Sequence, residues 1–175
     1  MKSIGCFLLL FLALSAPAVA ADFTLFGGVQ HPGKISLSDS ASSVASQLKN
    51  PIDVGVFGIR AGHGRVWGGE HTLAYAPNFL DTNSKAIIYS SNVRIQVPTP
   101  VIRPYATAGL GWVLSSGKGV SDIGTKFAVN YGGGVKVTFL GPIGGRIDVR
   151  GYTIPSVQSQ TLNLVEVSLG VFFGF

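Results

Sequence analysis

The sequence predicts an all-β protein, an eight-stranded antiparallel transmembrane β-barrel whose strands follow one another as an up-and-down meander. Three observations support this fold class. Apolar and polar side chains alternate along several segments, which is the period of a β-strand. The chain is 46% hydrophobic and only 12% charged, against about 25% charged residues in soluble domains. Its connections alternate between long and short, as in barrels with long loops at one end.

The first residues predict a cleaved secretory signal peptide. Lys2 precedes the apolar run of residues 6–14, and small residues up to Ala20 form a cleavage pattern. That run is shorter than the about 20 residues that a membrane helix needs. We therefore expect a signal peptide at residues 1–20 and one barrel domain at residues 21–175. Cys6 is the only cysteine, so the mature chain would have no thiol or disulfide chemistry.

Alternation and length predict eight strands in the mature chain. The last one is the clearest, because an apolar row from Val165 to Phe175 alternates with small or polar residues such as Glu166 and Ser168. Most of the segments are close to the about 9 to 11 residues of a tilted membrane strand. The predicted strands are residues 23–30, 52–62, 65–76, 85–97, 103–114, 126–139, 145–154 and 162–175.

The connections predict which end of the barrel faces outward. Residues 31–51, 77–84, 115–125 and 155–161 form longer loops, whereas residues 63–64, 98–102 and 140–144 form tight turns rich in Gly and Pro. Outer-membrane barrels have long outer loops and short periplasmic turns, which produce this alternation of long and short connections. The first loop is rich in serine and is either a flexible polar loop or a short helix capped near Asp39 or Ser40.

Strand parity separates a lipid-facing side from an inner side that carries charges. An eight-stranded barrel has an interior just wide enough for side chains to fill, and buried charges must pair because an isolated buried ion is very costly. We therefore predict an interior ion network, with a gated conductance as the functional alternative and Lys136 and Arg94 as surplus cations. Its predicted members are Arg60, Glu70, Arg94, Lys136, Arg146, Asp148, Arg150 and Glu166.

The chain resembles the small eight-stranded outer-membrane proteins related to the transmembrane domain of outer membrane protein A. The resemblance lies in RPYATAGLG at residues 103–111, GGGVK at 132–136, GRIDVRGY at 145–152, and the ending at Phe175. It implies insertion into the outer membrane of a Gram-negative bacterium. It also implies that the final aromatic-ended strand is read by the barrel-assembly machinery; the residues of that signal are Val167, Leu169, Val171, Phe173 and Phe175.

No catalytic or metal-binding arrangement is predicted, and no cofactor is expected. A lipid-deacylating barrel would need a Ser beside a His on one strand face, oriented by a carboxylate. His71 has Gly69 and Leu73 at the spacing of two residues, so this pattern is missing. We expect His71 to lie on the lipid-facing side near the membrane interface, beside Trp67 or Tyr75. Three scattered histidines without cysteine also give no zinc ligand set.

Lysine placement gives the one hint about a binding partner. Compact cations suit phosphate groups, so a lysine rim at the outer loops predicts contact with lipopolysaccharide, unless these are ordinary solubilising lysines. The chain has no dense basic patch interleaved with aromatics, which argues against nucleic acid. The rim lysines are Lys34, Lys49, Lys85, Lys118 and Lys126.

The sequence thus predicts a monomeric outer-membrane barrel with a structural or adhesive role at the cell surface. Both chain termini are expected in the periplasm. A narrow gated channel of the porin-like kind is the first alternative. A lipid A-modifying enzyme and a soluble lipocalin-like carrier are two others, and the carrier is disfavoured because soluble barrels place polar residues outside.

Overall fold

The computed structural model describes residues 21–33, 53–79, 84–117, 124–157 and 160–175. The predicted signal peptide, most of the serine-rich first loop, and Lys34, Lys49 and Lys118 lie outside the described residues. None of the residues that the structure describes belongs to a helix that is long and apolar enough to cross a membrane.

Eight antiparallel strands close into one barrel in chain order, so the predicted fold class is confirmed. Each strand pairs with its neighbours in sequence, and β1 pairs with β8 to close the wall. The strands are β1 (Ala21–Pro32), β2 (Val54–His63), β3 (Trp67–Pro77), β4 (Lys85–Gln96), β5 (Ile102–Ser116), β6 (Gly124–Leu140), β7 (Ile143–Val157) and β8 (Gln160–Gly174).

The predicted loop at residues 155–161 was wrong, because strand structure occupies most of it. β7 continues to Val157 and β8 begins at Gln160. Pro155 lies where the register between these two strands shifts, between Ile154 and Val157. Proline has no N–H for the ladder and is tolerated in strands at such irregularities. Pro155, which suggested a loop, therefore lies at an irregularity in the pairing of β7 with β8.

Side-chain burial alternates along the strands, which gives the barrel an apolar outer face and a closely packed lumen. On β8, Val165 and Val167 are exposed, whereas Leu164 and Glu166 are at most 1% exposed. Exposed apolar residues cover the outside of every strand in the same way. This is the inverse of a soluble barrel and the pattern expected of a wall that stands in lipid.

Glycine lets the narrow wall close at several inner positions. A Cβ atom at Gly28 of β1 would lie 2.6 Å from the Cβ of Ser168 on β8, which is closer than two carbon atoms can pack. At the first tight turn, Gly64 has a φ of +92°, a conformation that only glycine adopts without strain.

The lumen has two layers of different chemistry. We call the end with the tight turns the turn end and the other end the loop end. Near the loop end most inward side chains are apolar, and Phe79, which follows β3, is buried among them. Towards the turn end most inward side chains are charged or polar, with Phe172 as an apolar exception. The loop-end layer consists of Val54, Val56, Ala74, Ala76, Phe79, Ala86, Ile88, Val113, Ala128, Tyr152, Ile154, Leu162 and Leu164.

Candidate functional site: the barrel lumen and its two rims

Two carboxylates at the centre of the lumen each hold several arginines. Glu70 lies 2.7 Å from Nη2 of Arg146 and also pairs with Arg150. Asp148 accepts hydrogen bonds from Nε of Arg146 at 2.8 Å and from Nη2 of Arg150 at 3.1 Å. These four side chains come from β3 and β7, which are not neighbours in the wall. The two pairs of Glu70 therefore cross the lumen, whereas those of Asp148 join residues two apart on β7.

Arg60 extends the network towards β8. Its guanidinium lies 3.0 Å from Asp148 and 2.5 Å from Glu166, and its Cζ stands 3.6 Å from the centroid of the Phe26 ring. Glu166 also accepts a hydrogen bond from Nε2 of Gln30 at 3.1 Å. Arg60 and Glu166 are fully buried. Both charges are thus compensated by partners rather than by solvent.

Asp22 is a member of this network that sequence analysis missed. Its carboxylate lies 2.9 Å from Nη1 of Arg94 and 2.7 Å from Nζ of Lys136, so the two cations expected to be surplus share a counter-ion. The first strand was predicted to begin at residue 23, two residues after β1 begins, which left Asp22 out. Asp22 has the same parity as the inward Thr24, and extending the alternation by one residue would have found it.

The structure brings all eight predicted network residues into the lumen, where each is at most 2% exposed. Nine ion pairs link them to one another and to Asp22. A group of this kind is strongly destabilised when one partner is removed, because the others remain buried without compensation. The network can therefore hold opposite walls of the barrel together.

His71 lies on the lipid-facing side, but its neighbours differ from those expected. Its Nδ1 is 3.0 Å from the hydroxyl oxygen of Tyr89 on β4, rather than beside Trp67 or Tyr75. Ser91 stands directly opposite His71 in the β3–β4 register. A search by spacing along one strand cannot find such a pair across strands. Glu70, the neighbouring carboxylate, points into the lumen and is fully buried.

Aromatic side chains form a belt on the outside near the loop end. The Tyr89 and Trp112 rings are stacked with centroids 6.5 Å apart, and Trp112 meets Phe127 edge-on at 6.4 Å. Aromatic rings of this kind concentrate where a membrane barrel meets the interface. The belt therefore marks the level of a membrane surface.

The described rim lysines differ in orientation. Lys85 begins β4 and is exposed on the same outer face as Ile87 and Tyr89. Lys126 is half-buried and has the parity of the inward-facing Ala128. Only Lys85 of the described rim lysines therefore stands above the aromatic belt on the lipid side.

The predicted assembly residues follow the outer face of β8. Val167, Leu169 and Val171 are exposed there, and Phe173 is the next outward side chain. Phe175 is 82% exposed, and its backbone N–H donates to the carbonyl of Ala21 at 2.8 Å. The residue is thus mostly exposed, although its backbone pairs with β1 where the barrel closes.

Among the described residues, no three His, Cys, Asp or Glu side chains are grouped as a metal ion would require. The carboxylates of the lumen are instead occupied by arginine and lysine, which compete with any cation for the same oxygen atoms.

A closed antiparallel barrel with an apolar exterior, an aromatic belt and short turns at one end defines a bacterial outer-membrane β-barrel. The model of the outer membrane protein beta-barrel domain family matches residues 6–175. The chain belongs to this family. The loop end is accordingly the outer end and the turn end is periplasmic.

Solved structures show the same fold at low sequence identity. Neisserial surface protein A is 14% identical with a TM-score of 0.69, and the match covers 89% of this chain and 99% of that chain. Ail, the attachment invasion locus protein of Yersinia pestis, is 13% identical with a TM-score of 0.53, covering 89% and 98%. The outer membrane enzyme PagL is 11% identical with a TM-score of 0.51, covering 85% and 97%. No curated protein sequence matches the chain.

Proposed function

We propose that the protein is a structural or adhesive barrel of the cell surface, that its outer rim contacts lipopolysaccharide, and that it is not an enzyme. One observation carries this proposal: the lumen is filled by ion pairs in one layer and apolar side chains in the other. A filled lumen leaves the outer face, the loops and the two rims as the surfaces available to partners. Function on such a scaffold resides in its surface sites and not in the fold.

The arrangement around Lys85 supports contact with a lipid that has phosphate groups. Lys85 is exposed at the outer rim, and Ile87, Tyr89 and Trp112 lie below it or beside it on the same lipid-facing surface. An ammonium group attracts phosphate, while aromatic and aliphatic side chains suit acyl chains. Ail, which has the same fold, has been solved with the heparin analogue sucrose octasulfate, so a barrel of this shape can present a polyanion site.

Substitution of the rim lysines tests this proposal. In the variant with Lys34, Lys49, Lys85, Lys118 and Lys126 all changed to Gln, we expect binding of purified lipopolysaccharide to the detergent-solubilised barrel to weaken. The matched control changes the same lysines to Arg, which keeps the charge and should keep most of the binding. A second control, Arg65→Gln, removes a charge at the periplasmic end. Equal binding by the Gln and Arg variants would contradict the proposed contact with lipopolysaccharide.

A narrow gated channel is the second candidate, favoured by the row of buried ionic groups from Asp22 to Glu166. The apolar loop-end layer opposes it, because ions entering that layer would lose their hydration. Planar-bilayer recording separates the two. Steady unitary currents whose size changes in Lys136→Gln and Arg94→Gln would support the channel. If the folded protein inserts in the bilayer and no current is recorded, the result supports the filled barrel.

The proposal that the barrel is not an enzyme rests on the surroundings of His71. Its Nδ1 is engaged with the Tyr89 hydroxyl, and the nearest carboxylate in the chain, Glu70, is committed to arginines inside the lumen. A serine activated by His71 would lack the carboxylate that orients the base. Incubation with lipopolysaccharide should therefore release no fatty acid, and release that is lost in His71→Asn would contradict this proposal.

A further inference from the structure

A cavity opens at the periplasmic end of the barrel, below the ion network. Its volume is about 300 Å³, at the lower end of the range for small-molecule sites. The tight turns and the ends of β1 and β8 form its wall, and both polar and apolar residues line it. The polar lining residues that matter here are Asp22, Gln96, Arg103 and Thr138, and the apolar ones are Pro100, Pro142 and Phe175.

One cation on the wall of this cavity has no ion-pair partner among the described residues. Asp22 is shared by Arg94 and Lys136. Arg103, the third cation, forms no ion pair within the part of the chain that the structure describes. Its Nη2 donates to the hydroxyl of Thr138 at 3.1 Å, and its Cζ stands 5.2 Å from the Phe172 ring centroid. Arg103 therefore places on the cavity wall a guanidinium that no described carboxylate side chain pairs with.

Two polar atoms on the same wall lack a partner. The Nε of Arg103 and the Oε1 of Gln96 are buried and make no hydrogen bond to any described residue. Gln96 is held in place because its Nε2 donates to the carbonyl of Arg65 at 2.8 Å. Burying a polar group without a partner is costly. The Nε of Arg103 is a cationic donor, which suits a carboxylate. The Oε1 of Gln96 is a neutral acceptor, which suits an amide N–H next to that carboxylate.

We propose that this cavity binds the free carboxyl end of a short peptide or of an N-acylated amino acid. Arg103 binds the carboxylate, because its planar guanidinium matches the geometry of two oxygen atoms. The Oε1 of Gln96 accepts a hydrogen bond from the adjacent amide N–H. Pro100, Pro142 and Phe175 contact the apolar part of the ligand. This site lies at the opposite end of the barrel from the lipopolysaccharide rim and does not depend on it.

Nuclear magnetic resonance titration of the isotope-labelled barrel in detergent micelles tests this site. N-acetyl-L-alanyl-L-alanine should shift the backbone amide signals of the cavity residues, and its C-terminal amide should not. Inorganic phosphate should bind more weakly, since it has no amide N–H for Gln96. Equal shifts with the amidated peptide, equal affinity for phosphate, or no shift at millimolar peptide would each overturn the proposal.

Variants at two positions locate the site. Arg103→Gln should weaken binding of the acetylated dipeptide by about tenfold or more, as expected when a charged hydrogen-bonding partner is lost. Gln96→Leu should weaken it as well, and it serves as the second variant if Arg103→Gln does not fold. Arg65→Gln removes an exposed arginine at the same end but outside the cavity wall, and should bind normally. Unchanged affinity in a folded Arg103→Gln or Gln96→Leu barrel would place the ligand elsewhere.

Discussion

At the scale of single residues, Glu70 is one of two lumen carboxylates that each pair with three arginines, and Asp148 is the other. Glu70 pairs with Arg146 and Arg150 and lies 3.6 Å from Nη1 of Arg94. Its side chain is fully buried, so water does not screen these interactions. The charge of Glu70 therefore compensates groups from several walls at once.

We predict that Glu70→Gln lowers the free energy of unfolding by about 3–5 kcal/mol, the cost of breaking a buried ion pair from one side. Urea titration of the barrel in lipid vesicles, followed by tryptophan fluorescence, measures the change. Asp53→Asn is the matched control, because Asp53 pairs with His31 at 2.7 Å but is 65% exposed. Its loss should cost less than about 1 kcal/mol. Similar losses in both variants would mean that the network does not bind the walls together.

A second residue-scale prediction concerns the glycines of the inner wall. A Cβ at Gly132 would lie 2.8 Å from the Cα of Arg150 and would also meet the backbone of Val149. Gly132→Ala should therefore destabilise the barrel by about 1–3 kcal/mol or prevent folding. Gly55→Ala is the control, since a Cβ there meets nothing within 4 Å. The fraction of each variant that migrates as the folded band, on gels run without boiling, measures the effect. Equal folded fractions for Gly132→Ala and Gly55→Ala would contradict the close contact at Gly132.

At the scale of elements, β8 combines a role in the folded wall with a predicted role in assembly. Deletion of Phe175 should reduce the amount of barrel inserted in the outer membrane. It should leave refolding in detergent unchanged, because the ring is 82% exposed and packs little against the wall. Phe139→Ala is the control, an aromatic residue of the periplasmic end that is 70% exposed. Equal insertion defects in the two variants would show that Phe175 acts only as an interface anchor.

The same elements show what the sequence could and could not predict. Strand number and parity were predictable because an apolar face recurs every second residue, as in β4 and β8. The ends of the strands were less predictable. Pro155 suggested a loop, whereas the structure has a register shift between β7 and β8 at this position. The partners across the lumen were not predictable either. Arg150 meets Glu70 from β3 because the barrel closes, and closure leaves no periodic signal in either segment.

At the scale of the whole molecule, the barrel is asymmetric along its axis. The loop-end layer is apolar and contains Val56 and Phe79, each at most 2% exposed. The turn end has the ion network and the open periplasmic cavity. Close packing makes an apolar layer a barrier to ions and water. Polar solutes should therefore reach the cavity from the periplasm without crossing to the cell surface.

Labelling of single cysteines tests this asymmetry, since residues 21–175 contain no cysteine. Thr138→Cys lies on the wall of the periplasmic cavity and should react with a small charged thiol reagent added to the detergent-solubilised barrel. Val56→Cys lies in the apolar layer and should react at least about tenfold more slowly, because labelling there requires local opening of a packed region. Leu169→Cys, on the lipid face, controls for shielding by detergent. Equal rates at positions 138 and 56 would mean that water passes through the layer, and the channel would then become the better proposal.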